Sequence, residues 1–460
     1  MDRLMIFLNT VPSVSPGITF LFLGLLILMI IALALEEKLH AHKSVITGVT
    51  AVVALILGQA TGIFSDVESH GSHLPFYVKF IDWGVIAIIL GSSIFIDITS
   101  KSGIFSWLAI KLTKMTKGDP FKLLVYYSVL TVVFSALLNN VTAMLIVGSL
   151  TIVSLSNLKK MNLLLGFLLC EGLLTNIGGL LTLISSVPNI IVGSTAGISF
   201  ASFFIISSPY VVVATIGTIY LAGKLFKISP LKTEEEKREA ALLIENFDEN
   251  EGVESRSFFK LGWFMFIAFI LVLAMTDLIP YIKELGIGFV AMAFGIVMLI
   301  KIRSKTENTY KAIDWDLLFF FGFLFVVIGV MEHAMVLDLI GSGVVQLMKI
   351  GETGGPIALL WASAGASSVT DNIPLAAMLA KTMSNLPEFA QNFWWAVIYG
   401  ANLGGNITPI GSASTVVAVT IISKNKLKLS FVGFIIKALP FALFQLVLAS
   451  GYVYLIGLIQ

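Results

Sequence analysis

The sequence predicts an all-α polytopic membrane protein made of two inverted repeats of about five spans, each with a re-entrant hairpin and a broken helix. Three observations lead there. Hydrophobic residues make up 57% of the 460 residues and charged residues 12%, with a mean hydropathy of +0.96, more apolar surface than a soluble chain of this length can bury. Apolar runs of spanning length recur along the whole chain. One pattern also occurs twice: Ile81-Asp82-Trp83 is followed 56 residues after Trp83 by Asn139-Asn140-Val141-Thr142, and Ile313-Asp314-Trp315 is followed at the same distance by Asp371-Asn372-Ile373-Pro374, a constant offset of 232. A second pair comes after each, Asn176-Ile177-Gly178-Gly179-Leu180-Leu181-Thr182 and Asn402-Leu403-Gly404-Gly405-Asn406-Ile407-Thr408. Two apolar units, each interrupted twice by amides, glycines and hydroxyls, are the signature of a secondary transporter whose site lies between internal repeats.

In chain order, spans are expected at about 17–35, 44–64, 83–98, 162–182, 207–223, 259–279, 285–300, 314–331, 391–405 and 431–456, since about 20 residues cross a hydrocarbon layer of about 30 Å. Glu36-Glu37-Lys38 closes the first run without a small-residue cleavage site, which predicts a retained helix. The loop at 65–80 holds Asp66, Glu68, His70 and His73, read as solvated residues of the outer face. Segments 120–157 and 354–389 enter and leave on one side as hairpins, and 162–200 and 391–422 are the broken helices. Residues 228–257, with Glu234-Glu235-Glu236-Lys237-Arg238-Glu239, form a polar cytoplasmic linker with room for a short helix. The first repeat is therefore 1–227 and the second 258–460. Placing the N-terminus outside puts 23 of the 29 Lys and Arg on one side, including Lys111, Lys114, Lys117 and Lys122, as the positive-inside rule requires of a cytoplasmic face. Five spans is an odd number, so the second repeat is inverted relative to the first.

Backbone unwound within a bilayer exposes N–H and C=O groups at several kcal/mol each unless protein, ion or water satisfies them, so breaks are placed where something binds. The candidate binding residues are Asn139, Asn140 and Thr142 at the first hairpin, Asp371 and Asn372 at the second, and Asn176, Gly178, Thr182, Asn402, Gly404, Asn406 and Thr408 in the broken spans. Their carbonyl, amide and hydroxyl oxygens make a cage for a hard, weakly held cation, with Asn140, Asp371, Asn372 and Asn406 as a candidate Na⁺ set. Helix N-termini facing the same cavity equally suit an anion. The bland alternative for each Asn-Gly-Gly is close helix packing. Asp371 and Glu171 are the deeply placed acids, hence the proton-coupling candidates. Their structural alternatives are a helix cap and an ion pair with Lys381. Cys170 is the only cysteine, which excludes an intrachain disulfide and a thiolate cluster within one chain and reads as a small buried hydrophobe.

Ala136-Leu137-Leu138-Asn139-Asn140-Val141-Thr142, Ser367-Ser368-Val369-Thr370-Asp371-Asn372-Ile373-Pro374-Leu375 and Gly404-Gly405-Asn406-Ile407-Thr408-Pro409-Ile410-Gly411-Ser412-Ala413-Ser414 resemble the motifs of the ion transporter superfamily. The similar branch joins arsenite permeases, D-type sodium/proton antiporters and the P protein, and it covers about 17 to 456. Asn139-Asn140 stands where that family often carries Asp-Asn, and Ser185-Ser186-Val187-Pro188-Asn189 lacks its usual acid. The resemblance implies a scaffold and a transport domain, often in a dimer, working by alternating access. The expected function is sodium/proton antiport in the inner membrane, with a sodium- or proton-coupled anion (citrate or dicarboxylate) carrier or an arsenite permease as alternative. No enzyme is expected, because neither a His-Glu-x-x-His zinc site nor a Gly-x-Ser-x-Gly nucleophile turn is present. The expected partners are the lipid bilayer, a small inorganic cation or anion and a second copy of the chain, with no nucleic acid and no cofactor beyond Na⁺ or H⁺ as coupling ion.

Overall fold

The computed structural model describes residues 14–64, 74–245, 247–250, 252–304, 306–386 and 390–459. Asp66, Glu68, His70 and His73 lie outside the described residues. The helices in chain order are α1 (Pro16–Ala34), α2 (Lys43–Thr61), α3 (Trp83–Lys101), α4 (Ile104–Met115), α5 (Pro120–Leu137), α6 (Asn140–Asn157), α7 (Leu164–Gly178), α8 (Val187–Thr195), α9 (Phe200–Leu225) and α10 (Glu234–Glu245). The chain continues through α11 (Arg256–Ala274), α12 (Pro280–Lys301), α13 (Trp315–His333), α14 (Val336–Met348), α15 (Gly354–Val369), α16 (Asn372–Ser384), α17 (Asn392–Gly404), α18 (Ala413–Lys424) and α19 (Phe431–Ile459). Among the described residues, eleven helices are long and apolar enough to cross a membrane. Both helices of the first hairpin are among them, whereas α17, expected as a span over 391–405, is a shorter helix whose path resumes as α18 after a break.

The offset seen in the sequence reappears in helix boundaries. Trp83 and Trp315 begin α3 and α13, Ile104 and Val336 begin α4 and α14, and Asn140 and Asn372 begin α6 and α16. The helices start where local chemistry places them. Asp119 caps α5 by accepting from the Lys122 N–H at 2.9 Å, with Pro120 in the first turn. Ser412 and Thr415 form a reciprocal capping box at the start of α18.

Two compact units cut across the repeats. One holds the residues up to Asp82 with Trp315–Gln346 and Lys381–Leu386, and the other holds Trp83–Asp314, Leu347–Ala380 and Pro387–Gln460. In the first, α2 packs along α13, with Gly48 against the Phe323 ring. Asp316 accepts from both the N–H (3.2 Å) and the hydroxyl (2.5 Å) of Ser44, and Lys381 pairs with Glu332 at 3.1 Å.

In the second unit α3 crosses α12 at Gly91, where a Cβ would lie 2.4 Å from the Ala291 carbonyl carbon; only glycine allows that approach. The hairpins α5–α6 and α15–α16 and the broken helices α7–α8 and α17–α18 all belong to this unit, apart from the last residues of α16. The linker is more than solvated chain. Helix α10 buries Ala240 and Ile244 and packs on α4 and α6, and the Asp119 carboxylate accepts from the Leu231 N–H at 2.9 Å.

Candidate functional site

Each broken helix is interrupted by eight residues, 179–186 and 405–412. Each hairpin is tied to the broken helix of its own half by the same three contacts. At the end of α7, a Cβ on Gly178 would lie 2.6 Å from the Val132 carbonyl oxygen; at the end of α17, one on Gly404 would lie 2.4 Å from that of Ala364. The Ser135 hydroxyl donates to the Thr175 carbonyl at 2.6 Å, as Ser367 does to Ala401 at 2.6 Å. Within the breaks, Thr182 donates to the Ala136 carbonyl at 2.6 Å and Thr408 to that of Ser368 at 2.5 Å. The Thr182 and Thr408 hydroxyls supply donors to carbonyls at the hairpin tips, and the Ser135 hydroxyl adds a second donor to the Thr175 carbonyl, which also accepts from the Gly179 N–H at 2.8 Å.

Across the two halves the contacts are reciprocal. Asn176 donates to the Ser412 hydroxyl at 3.0 Å, and the Ser186 hydroxyl donates to the Asn402 side chain at 2.7 Å. The first half's asparagine thus meets the second half's serine, and the second half's asparagine meets the first half's serine. Such an exchange is what a two-fold relation between the broken helices produces.

Other polar residues break this symmetry. Asn406 occupies the position held in the first half by Leu180. Its side chain accepts from Asn176 at 2.8 Å and donates to the Leu173 carbonyl at 3.1 Å and to Gln445 at 2.7 Å. Gln445 in turn donates to Thr218 at 3.1 Å. Asn140, at the start of α6, accepts from Ser135 at 2.7 Å and donates to Asn176 at 3.4 Å, and Ser414 donates to Asn176 at 3.3 Å. Asn140, Asn176, Asn406, Ser412 and Ser414 therefore form one connected cluster, buried apart from the half-buried Asn140. Beside it, Asn402 donates to Asn189 at 2.9 Å, and Asn189 donates to the Gly179 and Thr182 carbonyls at 2.6 and 3.0 Å.

The expected residues fall into three groups. Asn140, Asn176 and Asn406 meet in the cluster, with Asn402 beside it. Gly178, Gly404, Thr182 and Thr408 hold the hairpins against the breaks. Asn139 and Asp371 cap the second hairpin helices, accepting from the N–H groups of Thr142 (2.8 Å) and Ile373 (3.1 Å), and Asn372 opens α16 next to that cap. Of the two acids, Glu171 is fully buried and Asp371 half-buried. Sequence reasoning missed Ser135, Ser367, Ser186, Ser412, Ser414, Asn189 and Gln445 as members of this network. The offset of 232 pairs Ser135 with Ser367 and could have found them. Gln445 had one signal, a lone amide within a long apolar run.

Paired hairpins locked onto paired broken helices, in a chain with eleven membrane-length helices, define a multi-pass membrane transporter. Residues 25–400 match the CitMHS family, described as citrate transporter, and the chain belongs to that family. It is 30% identical over 434 residues to an uncharacterized transporter of Mycobacterium tuberculosis, covering 91% of this chain and 94% of that one. It is 27% identical to the human P protein, covering 88% of this chain and 56% of that longer protein. Among solved structures, MtrF of Neisseria gonorrhoeae, from a class of antimetabolite efflux pumps, aligns with a TM-score of 0.55 at 13% identity over 97% of this chain and 95% of its own. The YdaH transporter of Alcanivorax borkumensis aligns at 0.51 and 13% identity, over 96% and 98%. At that identity the two structures share the fold.

Proposed function

We propose that the chain is a secondary active transporter working by alternating access, exchanging Na⁺ for H⁺, with its lysine-rich ends in the cytoplasm and its repeats inverted. The observation that carries this reading is the amide and hydroxyl cluster of Asn140, Asn176, Asn406, Ser412 and Ser414, drawn from a hairpin tip and both broken helices. Neutral oxygen donors in a dry site suit a weakly held monovalent cation, which must leave as readily as it enters. Asp371, at the second hairpin tip, is the carboxylate through which a cation or proton would couple to hairpin movement.

A second reading rests on a different observation. The family carries the description citrate transporter, and the cluster's members are uncharged, with two hairpin helices beginning at Asn140 and Asn372. Helix N-termini and amide donors recognise carboxylates, so the same residues would bind a tricarboxylate while Asp371 serves only the coupling ion. Flux in proteoliposomes separates the two. Proton movement driven by a Na⁺ gradient without added anion supports exchange. Citrate uptake, with no Na⁺-driven proton movement in its absence, supports the anion carrier.

A further inference from the structure

A second polar feature lies away from that cluster. Glu171 is fully buried in α7; the Thr151 hydroxyl of α6 donates to one of its carboxyl oxygens at 2.5 Å, and the other oxygen has no hydrogen-bond partner among the described residues. Thr151 lies one turn from Ser154 on the same face of α6. Ser154 bonds to the Tyr127 hydroxyl of α5 at 2.6 Å, and Tyr127 bonds to Thr113 of α4 at 2.7 Å. One turn further along, Thr116 ends at the lysine-rich loop beside Asp119, where the linker lies: a Cβ on Gly118 would meet the Ala240 carbonyl at 2.7 Å. Thr113, Thr116, Tyr127, Thr151 and Ser154 are all fully buried.

The second repeat shows that the fold does not require this strip. Under the offsets of 232 and 226 that match the helices, Thr113, Tyr127, Thr151, Ser154 and Glu171 correspond to Val345, Leu359, Met383, Leu386 and Val397. Every counterpart is apolar. Burying five polar side chains where apolar ones serve in the sister repeat costs stability unless the polar groups have a task.

We infer that these hydroxyls form a proton relay from the lysine-rich end to Glu171, which binds the proton. One proton enters at the lysine-rich end. Direct hydrogen bonds link Thr113 through Tyr127 to Ser154, and Thr151 to Glu171, and along these each hydroxyl passes its own proton inward as it accepts one from behind. The one-turn steps from Thr116 to Thr113 and from Ser154 to Thr151 each take a bridging water that accepts one proton and passes on another, and the Glu171 carboxylate takes the last. Only O–H bonds form and break. The titratable groups that act electrostatically with Glu171 are Tyr127 of α5 and Cys170 of α7. Ala418 of α18 faces Gly172, while Tyr210 of α9 and Tyr399 of α17 pack on each other at 4.7 Å between ring centroids. Helix α19, which also packs on α7, carries Lys437, and among the described residues the only hydrogen-bond partner of the Glu171 carboxyl is Thr151. The inference deepens the proton half of the exchange reading and rests on it.

The test is time-resolved infrared spectroscopy of the purified protein after a pH jump, without Na⁺ or citrate, following the C=O band of a protonated carboxyl. The parent should show a band that Glu171→Gln removes. Tyr127→Phe and Ser154→Ala should keep its equilibrium amplitude but slow its appearance by roughly 10²-fold, the low end for a positioned proton-transfer group. Ser128→Ala, off the strip and bonded to Cys170 at 3.6 Å, should leave the rate unchanged. If Glu171→Gln keeps the whole band, Glu171 is not the proton site. Should the band vanish in Glu171→Gln yet appear at the parent rate in Tyr127→Phe and Ser154→Ala, or at an equally reduced rate in Ser128→Ala, the relay is wrong and the carboxyl stands. Loss of Na⁺-driven proton flux in the parent, measured separately, would overturn the exchange reading without touching either result.

Discussion

Replacing Asn406 with leucine tests the cluster with the protein's own control, because the first repeat already carries Leu180 at the matching position. Leucine matches the branching of asparagine but is larger, so no cavity is expected and crowding at this buried site adds to the loss of polarity. Three hydrogen bonds disappear, to Asn176, to the Leu173 carbonyl and to Gln445. Interhelical hydrogen bonds in membrane proteins average about 0.6 kcal/mol each, which gives roughly 2 kcal/mol. The losses are unequal. Asn176 keeps Ser412 as an acceptor, whereas the Gln445 side-chain oxygen loses the donor assigned to it, a penalty of about 1–3 kcal/mol for a buried acceptor. A destabilisation of about 3–5 kcal/mol is therefore expected, below the about 5–15 kcal/mol that folded proteins typically hold in reserve, so the variant is purified in the cold. Ligand binding is then read as the rise in melting temperature with added Na⁺ or citrate, where a ligand at a hundred times its Kd contributes about 2.7 kcal/mol. The parent should respond to one of the two and Asn406→Leu to neither. A variant that melts lower yet keeps the full ligand-dependent shift would show that the cluster packs helices and binds nothing.

The matched hairpin contacts predict matched losses: Gly178→Ala and Gly404→Ala each force a Cβ to within 2.6 Å of a backbone oxygen and should cost about 1–3 kcal/mol in thermal melts, and a parent-like melt in either would break the equivalence of the halves. Asp371→Asn keeps an oxygen that can accept from Ile373, so the helix cap and the melting temperature should persist while transport is lost. Parent-level flux in that variant would remove the carboxylate from the mechanism. The Lys381–Glu332 pair is partly exposed at 43% and 29%, so Lys381→Met should shift unfolding by less than about 1 kcal/mol; a larger loss would mark the pair as a fixed brace of α16.

Much of this was legible because two properties survive in a single sequence: hydropathy, which sets span length, and repetition. Trp83 and Trp315 start equivalent helices because the pattern before them repeats, and the breaks fall at the repeated Asn-x-Gly-Gly steps, where amides and glycines interrupt the apolar runs. What stayed hidden depends on pairings between helices. A serine such as Ser135, within an apolar run, reads as a small packing residue until its hydroxyl is seen to meet the Thr175 carbonyl. Gly178 and Gly404 were expected to open the backbone for an ion, yet their closest neighbours are hairpin carbonyls, which points to close approach as their use. The linker's charge pattern likewise hid the small apolar stripe of Ala240 and Ile244.

Symmetry also sorts function from scaffold. Under the proposed alternating-access reading, a carrier of inverted repeats must satisfy the same backbone groups in both states, which assigns the contacts common to the halves to the frame: Gly178 with Gly404, Ser135 with Ser367, Thr182 with Thr408. A cargo or a proton has no such need to be duplicated, and its ligands are free to differ between halves. Besides the hydroxyls of the strip, the polar departures from symmetry include Asn406 against Leu180, Ser414 against Pro188, Asn189 against Thr415, Asp371 against Asn139, and Glu171 against Val397. Two of these, Asn406 and Glu171, put an amide and a carboxyl in place of leucine and valine deep in a buried helix or break, where an unneeded polar group is most expensive. The proposed division of labour follows from that cost: Asn406 completes the cargo cluster, Glu171 takes the proton, and both sit on or against α7, whose movement would couple them.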